Sequence, residues 1–574
     1  GTIVLAFQEE RFNKIKNFVG YPKNSIDACL KFVRDKNLII HHAAFSTIRN
    51  PVFPFKYPLD NYFSIENWLD YYLNNFFSKK KKIDNVIKQI NLIKKNNFKI
   101  DQYLKYSNIK RKDYFNNYKI FRTLQKKYLL KQSNGIIKKI SFIDHHTCHA
   151  HYAAYAPNIK EQKIGILTID SEGDVLNQTF WIYNKINNII KKINHSSECD
   201  LARIYRFITL ILKMKPNEHE YKVMGLAPYA KNEYSIKIYN ELFKDILKVK
   251  DCKVLHKNRP KNLFNYLYEK TKQYRFDNIA GAVQILVEKI SSDLINQIYK
   301  KHKIKSFSIS GGVSMNIKMN KKLLSEPFVK KIYVPPTGTD ESLSIGACYY
   351  LNRSRNNKPI NNIYLGQKIS ENKINKSKIL GQLNKNKYII KSGVNHKVIA
   401  KLLKNGEIVA VARGREEFGA RALGNRSILA NPSVNGIVQK INEQIKNRDF
   451  WMPFALTIQQ ERHKDFIINK KSVDCDFMTI GFDTIEKNYS KIKNGTHPYD
   501  KSVRPQILKK EFNENYHSII EEFRKITKIP ALLNTSLNLH GMPISSELDD
   551  ILKTFKNSGL RYLYLEDNIL IKKK

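Results

Sequence analysis

Arg413, Arg415, Arg421 and Arg426 fall among Gly414, Gly419 and Gly424 in the run V-A-R-G-R-E-E-F-G-A-R-A-L-G-N-R-S-I-L, residues 411–429 of a chain whose basic residues are mostly lysine. The arginine fork matches phosphate oxygens two at a time, and glycine lets backbone N–H groups come close, so the run reads as a phosphate site. A solvated basic loop would account for any one of these arginines, but less well for four interleaved with glycine. Lys446 and Arg448 add charge further along, and Asn534, Thr535, Ser536 and Asn538 offer polar partners at a strand end. Such a pocket can stabilise the charge on a transferring phosphoryl group. Arg421, Arg426, Lys446 and Arg448 are its expected catalytic residues; Arg415, Ser427, Asn534, Thr535 and Ser536 are its expected binding contacts.

A second chemistry is signalled by His145 and His149, four residues apart in D-H-H-T-C-H. On a helix their imidazoles leave one face a turn apart, a spacing that lets them bind one divalent ion. Asp170 and Asp340 are the carboxylates placed where an α/β sheet collects ligands, beyond strand carboxyl ends. Two His and two Asp make a mixed N/O set suited to Fe(II), Mn(II) or Zn(II). A helix with buried or capping histidines is the alternative, and it is the preferred reading of His146 and His151, which the spacing turns away. Gly311-Gly312-Val313-Ser314-Met315-Asn316 would bring backbone amides to a nucleotide phosphate, with Asp170 to Asp174 as a facing turn.

These residues need strands and helices to hold them. Thr2 to Ala6 reads as a short strand, Lys163 to Asp170 as a buried strand with Thr179 to Tyr183 as its hairpin partner, and Phe307 to Ser310 as a strand entering the glycine turn. A helix is expected from about His145 and another over Ala280 to Tyr299. A Lys/Asn-substituted helical insertion is expected over 64–130. Around Asn352 to Pro359 the chain turns polar, which marks a linker. Beyond it, Ile408 to Ala412 and Pro530 to Leu533 read as strands and Ile544 to Phe555 as a helix capped by Ser545-Ser546. The fold class is α/β, with domains expected at 1–352 and 360–574.

The arginine run resembles the E-F-G-x-R-A-L-G-N-R-S signature of the nodulation and antibiotic O-carbamoyltransferases. Glu9-Glu10-Arg11-Phe12, Asp144-His145-His146 with His149, Glu220-Tyr221-Lys222 before Met224-Gly225-Leu226-Ala227, Gly311-Gly312-Val313, Lys446-Asn447-Arg448 before Pro453-Phe454-Ala455, and Asn534-Thr535-Ser536 follow the family's order. The resemblance implies an actin-like ATPase domain in which Gly311, Gly312, Val313, Asn316, Glu220, Lys222 and Gly225 line a nucleotide cleft. It turns the histidine reading toward a metal held by His145, His149, Asp170 and Asp340, with Asp170 also catalytic and Fe(II) placed first. It implies a YrdC-like second domain making carbamoyl-adenylate from carbamoyl phosphate and ATP, with Mg(II). The carbamoyl group then goes to a hydroxyl of a sugar or other small molecule. Two departures stand out. Met452 occupies a place where the family commonly has Arg, and the family's opening G-x-x-x-x-H-D-S-S turn is not present before Phe7. Either the sequence begins after that turn or the chain lacks it.

With 574 residues the chain exceeds what one core usually supports, and 42% hydrophobic and 11% aromatic residues suffice for two. No apolar run of about 18 residues suggests a membrane span and no secretion signal opens the chain, so a cytoplasmic protein is expected. Six scattered cysteines without a C-x-x-C pair exclude a disulfide framework and a thiolate zinc site; Cys148 is expected to be a buried filler. The net charge of +48 is spread over Lys/Asn/Ile-rich stretches without interleaved arginine and aromatics, so nucleic acid is not the expected partner. A tRNA-modifying or RNA-binding protein built from the same domain types is the alternative function, and an inactive homologue is a third. Homodimerisation stays open.

Overall fold

The computed structural model describes residues 1–48, 63–74, 118–369, 374, 376–384 and 386–574. They divide into two compact units, the first comprising Gly1–Thr2, Ile15–Ser314 and Gly338–Lys358, the second Ile3–Lys14, Met315–Thr337 and Pro359–Lys574. Both are mixed α/β. Among the described residues no helix is long and apolar enough to cross a membrane. Of the stretch 64–130 expected as a helical insertion, the helices Ile65–Asn74 and Tyr118–Ser133, the latter running past its end, are described; residues 75–117 lie outside the described residues.

In the first unit, helix α1 (His145–Tyr155) starts where the Asp144 carboxylate accepts the Thr147 N–H at 2.8 Å, satisfying one of the donors that every helix start leaves open. Strand β1 (Lys163–Gly173) follows, then β2 (Leu176–Asn184) and β3 (Ile189–Ser196). Helices α2 (Leu201–Ile211), α3 (Glu220–Leu226) and α4 (Phe276–His302) lead to β4 (Ser306–Ser310), and α5 (Leu343–Leu351) completes the frame. The four strands lie in the order β3-β2-β1-β4, with β1 and β4 parallel and the hairpins antiparallel. Helices α1 and α2 both pack on β1, which is why its I-G-I-L-T-I run is buried without alternation. The parallel register sets Thr168 opposite Ser310, so the two chains leave the sheet side by side at Asp170 and Gly311.

Helix α5 packs against α1 through Ile143, Cys148, Leu343 and Ala347. A Cβ on Gly346 would lie 2.0 Å from the Cys148 carbonyl oxygen, so glycine is what permits the approach. Cys148 is the expected buried filler.

The second unit is built on strands β5 (Tyr388–Lys391), β6 (Val409–Ala412), β7 (Arg426–Ala430), β8 (Ala455–Gln459), β9 (Pro505–Leu508), β10 (Ala531–Ser536), β11 (Tyr562–Leu565) and β12 (Ile569–Lys573). They form one eight-stranded sheet ordered β5-β12-β11-β6-β7-β10-β8-β9. The amphipathic helix Leu548–Lys556 buries Leu548, Ile551, Leu552 and Phe555 in the core around Ile428, Leu533 and Leu563.

Three expected elements differ. Thr2 to Ala6 forms no strand: Ala6 donates to the Leu365 carbonyl at 3.1 Å and the Val4 carbonyl is taken by Arg415, so the run meets a loop and a side chain rather than a ladder. The last helix begins at Leu548 instead of Ile544, because the Ser546 N–H is taken by Asp550 and Ser545 Oγ by Thr554. Asn534, Thr535 and Ser536 lie within β10 rather than beyond its end.

Candidate functional site: a His/Asp cluster and a lysine–arginine pocket

Helix α1 is buried nearly throughout, and its histidines separate by direction. His146 turns to the sheet, with Nδ1 2.6 Å from Thr168 Oγ1 and Nε2 3.0 Å from the Leu176 carbonyl; burial, then His145 and His149, pull its pKa down to about 4. His151 is held by the Thr147 carbonyl. Both are structural, as their spacing predicts.

His145 and His149 face the other way. Their Nε2 atoms are buried without a hydrogen-bond partner, and they converge with Asp170 and Asp340 so that one ligand atom from each residue lies within 4.8 Å of the others. His149 Nε2 is 3.5 Å from Asp170 Oδ2 and 3.7 Å from Asp340 Oδ1, and His145 Nε2 is 3.7 Å from Asp340 Oδ1. Metal–ligand bonds of about 2.1 Å place neighbouring ligand atoms about 3.0–3.4 Å apart in octahedral or tetrahedral coordination, so these three pairs lie within a few tenths of an ångström of that spacing, while the widest separation in the set, up to 4.8 Å, has further to close. Two orphaned buried imidazole nitrogens and two carboxylates fit a divalent ion. Burial works to lower the His149 pKa, but Asp170 and Asp340 push it up to about 9, the field a cation would occupy.

Each of these residues has a local cause for its position. Asp170 is the first residue beyond the regular β1–β2 ladder, where the register shifts between Ile169 and Gly173. Its carboxylate accepts the Ser171 N–H at 2.6 Å and the Gly312 N–H at 2.8 Å. Gly311, at φ +91, would drive a Cβ to 2.3 Å from the Ile169 carbonyl oxygen. Gly173 lies against the His145 ring, where a Cβ would come within 2.2 Å of Cδ2. Asp340 opens a one-turn helix, and its side chain is 71% exposed, so the cluster is open on that side.

Two residues that sequence reasoning did not assign to this site position it. Asp174 was read as part of a turn facing a nucleotide; instead its Oδ2 accepts the His145 N–H at 3.0 Å and the Ile48 N–H at 2.7 Å, while Oδ1 accepts from Thr47. It sits with Val175 in a two-residue hairpin turn, both at positive φ. Ser310 Oγ lies 3.0 Å from His149 Nδ1. The hairpin between two apolar runs signalled the first; nothing in the sequence signalled the second.

The expected nucleotide residues lie on several elements. The Gly312 amide is committed to Asp170, and Val313 is buried. Asn316 belongs to the second unit, where its side chain caps the helix Ile317–Ser325 through the Met319 N–H. Glu220, Lys222 and Gly225 lie on α3, which packs on α2 and α4. The Glu220 carboxylate accepts the Asn217 N–H at 2.6 Å, and burial raises its pKa.

In the second unit the arginine loop is braced by hydrogen bonds within the protein, and several of the residues expected as ligand contacts take part in them. Arg426 is fully buried, and its guanidinium donates to the carbonyls of Ser546, Arg413, Gly414, Asn425 and Gln367. Arg415 donates to the carbonyls of Gly366, Val4 and Leu365. Ser427 Oγ accepts the Gly424 N–H inside β7. The buried Glu417 carboxylate accepts the N–H groups of Leu423, Asn425 and Arg426. Arg421 is half-buried in the same loop.

The structure does bring Lys446 and Arg448 to the end of β10. The chain leaves a short helical turn through Asn447 at φ 43, which directs the flanking side chains together. Buried Lys446 Nζ donates to Ser536 Oγ at 3.1 Å and Asn538 Oδ1 at 2.7 Å; Arg448 donates to Thr535 Oγ1 at 2.8 Å with its guanidinium 4.8 Å from the Phe454 ring centre. In these contacts the cations meet neutral oxygens. Asn534 instead donates to Ala422 O and Thr457 Oγ1, bridging strands.

Residues 58–349 match the model of the carbamoyltransferase N-terminus and residues 400–573 that of the carbamoyltransferase C-terminus. The uncharacterized protein MJ1051 of Methanocaldococcus jannaschii is 32% identical over 79% of this chain and 88% of its own length. Nodulation protein NolNO of Sinorhizobium fredii is 27% identical over 76% of this chain and 64% of its own. The crystal structure of HypF from T. kodakarensis aligns with 40% of this chain and 39% of its own at 14% identity and a TM-score of 0.25, a level that bears on neither fold nor activity. With one family model matched over residues 58–349 and a second over residues 400–573, the chain belongs to the carbamoyltransferase family of enzymes.

Proposed function

We propose that the chain is an O-carbamoyltransferase working in two stages, the first unit with an actin-like fold and the second YrdC-like. At the second unit carbamoyl phosphate yields carbamate and phosphate with water, and a carbamate oxygen attacks the α-phosphorus of Mg(II)-bound ATP, expelling pyrophosphate. Lys446 and Arg448 bind the phosphoryl oxygens, Thr535, Ser536 and Asn538 holding them in place, and the two cations offset the charge that develops at phosphorus. The arginine loop shapes the strand end beside them, and Arg421 is its candidate for direct contact.

At the first unit a hydroxyl of a sugar or other small molecule attacks the carbamoyl carbon of the adenylate, and AMP leaves. His145, His149, Asp170 and Asp340 would hold a divalent ion, Fe(II), Mn(II) or Zn(II), that supplies Lewis acidity toward the carbamoyl oxygen. Exposed Asp340 leaves that face accessible to an acceptor, while Asp174 holds the His145 backbone and Gly173 leaves room for its ring.

The supporting observation is that the two chemistries stand in different compact units: four converging ligand atoms in one, a lysine–arginine pocket in the other. The test is to separate the half-reactions. Lys446→Ala should stop carbamoyl phosphate-dependent pyrophosphate release while transfer from supplied carbamoyl-adenylate continues; His149→Ala should do the reverse. If Lys446→Ala loses only transfer, the assignment of the stages is wrong.

A further inference from the structure

His149 has two ring nitrogens in different surroundings. Nε2 faces Asp170 and Asp340 with no hydrogen-bond partner, and Nδ1 lies 3.0 Å from Ser310 Oγ. An imidazole ligates a metal through an unprotonated nitrogen, so Nε2 can serve only while the proton resides on Nδ1. Something must accept that proton's hydrogen bond beside a fully buried ring, and Ser310, itself fully buried, is placed to do so.

Resting on the metal-centre reading above, we propose that Ser310 is the positioning residue that holds His149 in its metal-binding tautomer. The hydroxyl lies 3.5 Å from the Gly338 carbonyl as a donor, and a carbonyl can only accept. With its proton turned toward Gly338, Ser310 Oγ accepts from His149 Nδ1–H and frees the Nε2 lone pair. The same chain end reaches a second ligand: two residues after Ser310, the Gly312 N–H holds Asp170 Oδ2 at 2.8 Å. One strand terminus therefore orients two of the four ligands.

The full chain, stripped of metal, is titrated with Zn(II) against a chelator of known affinity, and Co(II) absorption reports ligand geometry. Ser310→Ala is expected to weaken Zn(II) binding about 10- to 100-fold and alter the Co(II) ligand-field bands. Ser310→Thr, which keeps the hydroxyl, should stay within a few-fold of wild type, and Ser310→Cys, similar in size but a poor acceptor, should follow Ala. Circular dichroism and melting establish that each variant is folded. Wild-type affinity in Ser310→Ala, or equal losses in folded Ala and Thr variants, overturns the proposal. Failure of the wild-type chain itself to bind Zn(II) or Co(II) refutes the metal centre, a result distinct from failure of Ser310 alone.

Discussion

Gly173 tests how tightly the His145 ring is set. Its backbone φ is not in the left-handed region, so alanine is conformationally acceptable there, yet the added Cβ would overlap the ring at 2.2 Å from Cδ2. The hydrogen bond from the His145 N–H to Asp174 fixes the backbone, so the ring must rotate instead. Gly173→Ala should lower bound metal about tenfold or more with the unit still folded, as read by elemental analysis after dialysis. Arg426 makes the opposite prediction. Its guanidinium braces five carbonyls beside the buried Glu416 and Glu417, and truncation strands those charges. Arg426→Met should cost about 3–5 kcal/mol of second-unit stability in denaturant titration. Lys446→Ala should cost activity with a smaller loss of stability.

Segments distant in sequence are tied into elements by ion pairs whose pH response can be stated. The helix Ile317–Ser325 joins the second unit partly through Lys318, which pairs with Asp500, itself bonded to Ser502. Burial would raise the Asp500 pKa, but Lys318, Ser502 and His497 outweigh it and hold it down to about 2. A carboxylate depressed below its unfolded value stabilises the fold fully above about pH 4, and the contribution is lost as pH falls through 2. Discounted for partial exposure, it is worth about 1–2 kcal/mol at neutral pH. Asp500→Asn should show that deficit at pH 7 and converge with wild type near pH 2; a constant difference at all pH values would mean that charge is not the cause.

At the scale of the whole molecule, the +48 charge is the property most open to misreading. If it served to grip tRNA through about six phosphate contacts, binding would fall with salt at a log–log slope near 5. Some of the lysines instead sit on helix surfaces in local pairs such as Lys23–Asp27, Lys31–Asp35 and Lys322–Glu326, and Arg415 and Arg426 of the glycine-rich loop are occupied with carbonyls. The expected outcome is weak binding that does not distinguish tRNA from heparin, with carbamoyl phosphate-dependent ATP turnover indifferent to added tRNA. A tRNA-specific complex that survives about 0.3 M salt would contradict this.

Periodicity and spacing alone were enough to put His145 and His149 on one helical face, to turn His146 and His151 away, and to place β1, β2, α4 and β4, because these features depend on residues a few positions apart. The start of the last helix and the opening Thr2–Ala6 run were misjudged, since each was settled by a partner outside its own window: Asp550 for Ser546, Leu365 and Arg415 for the N-terminal run. The same reason separates the two basic groups. Arg413 to Arg426 carry an arginine–glycine pattern that spells phosphate, but Gln367, Leu365 and Ser546, distant in sequence, bring carbonyls that saturate Arg415 and Arg426. Lys446 and Arg448 have the plainer local sequence, and only β10, some ninety residues later, sets Thr535, Ser536 and Asn538 against them. Side-chain type and spacing determine which chemistry a residue can offer; whether its donors remain available is decided by what the folded chain brings to them.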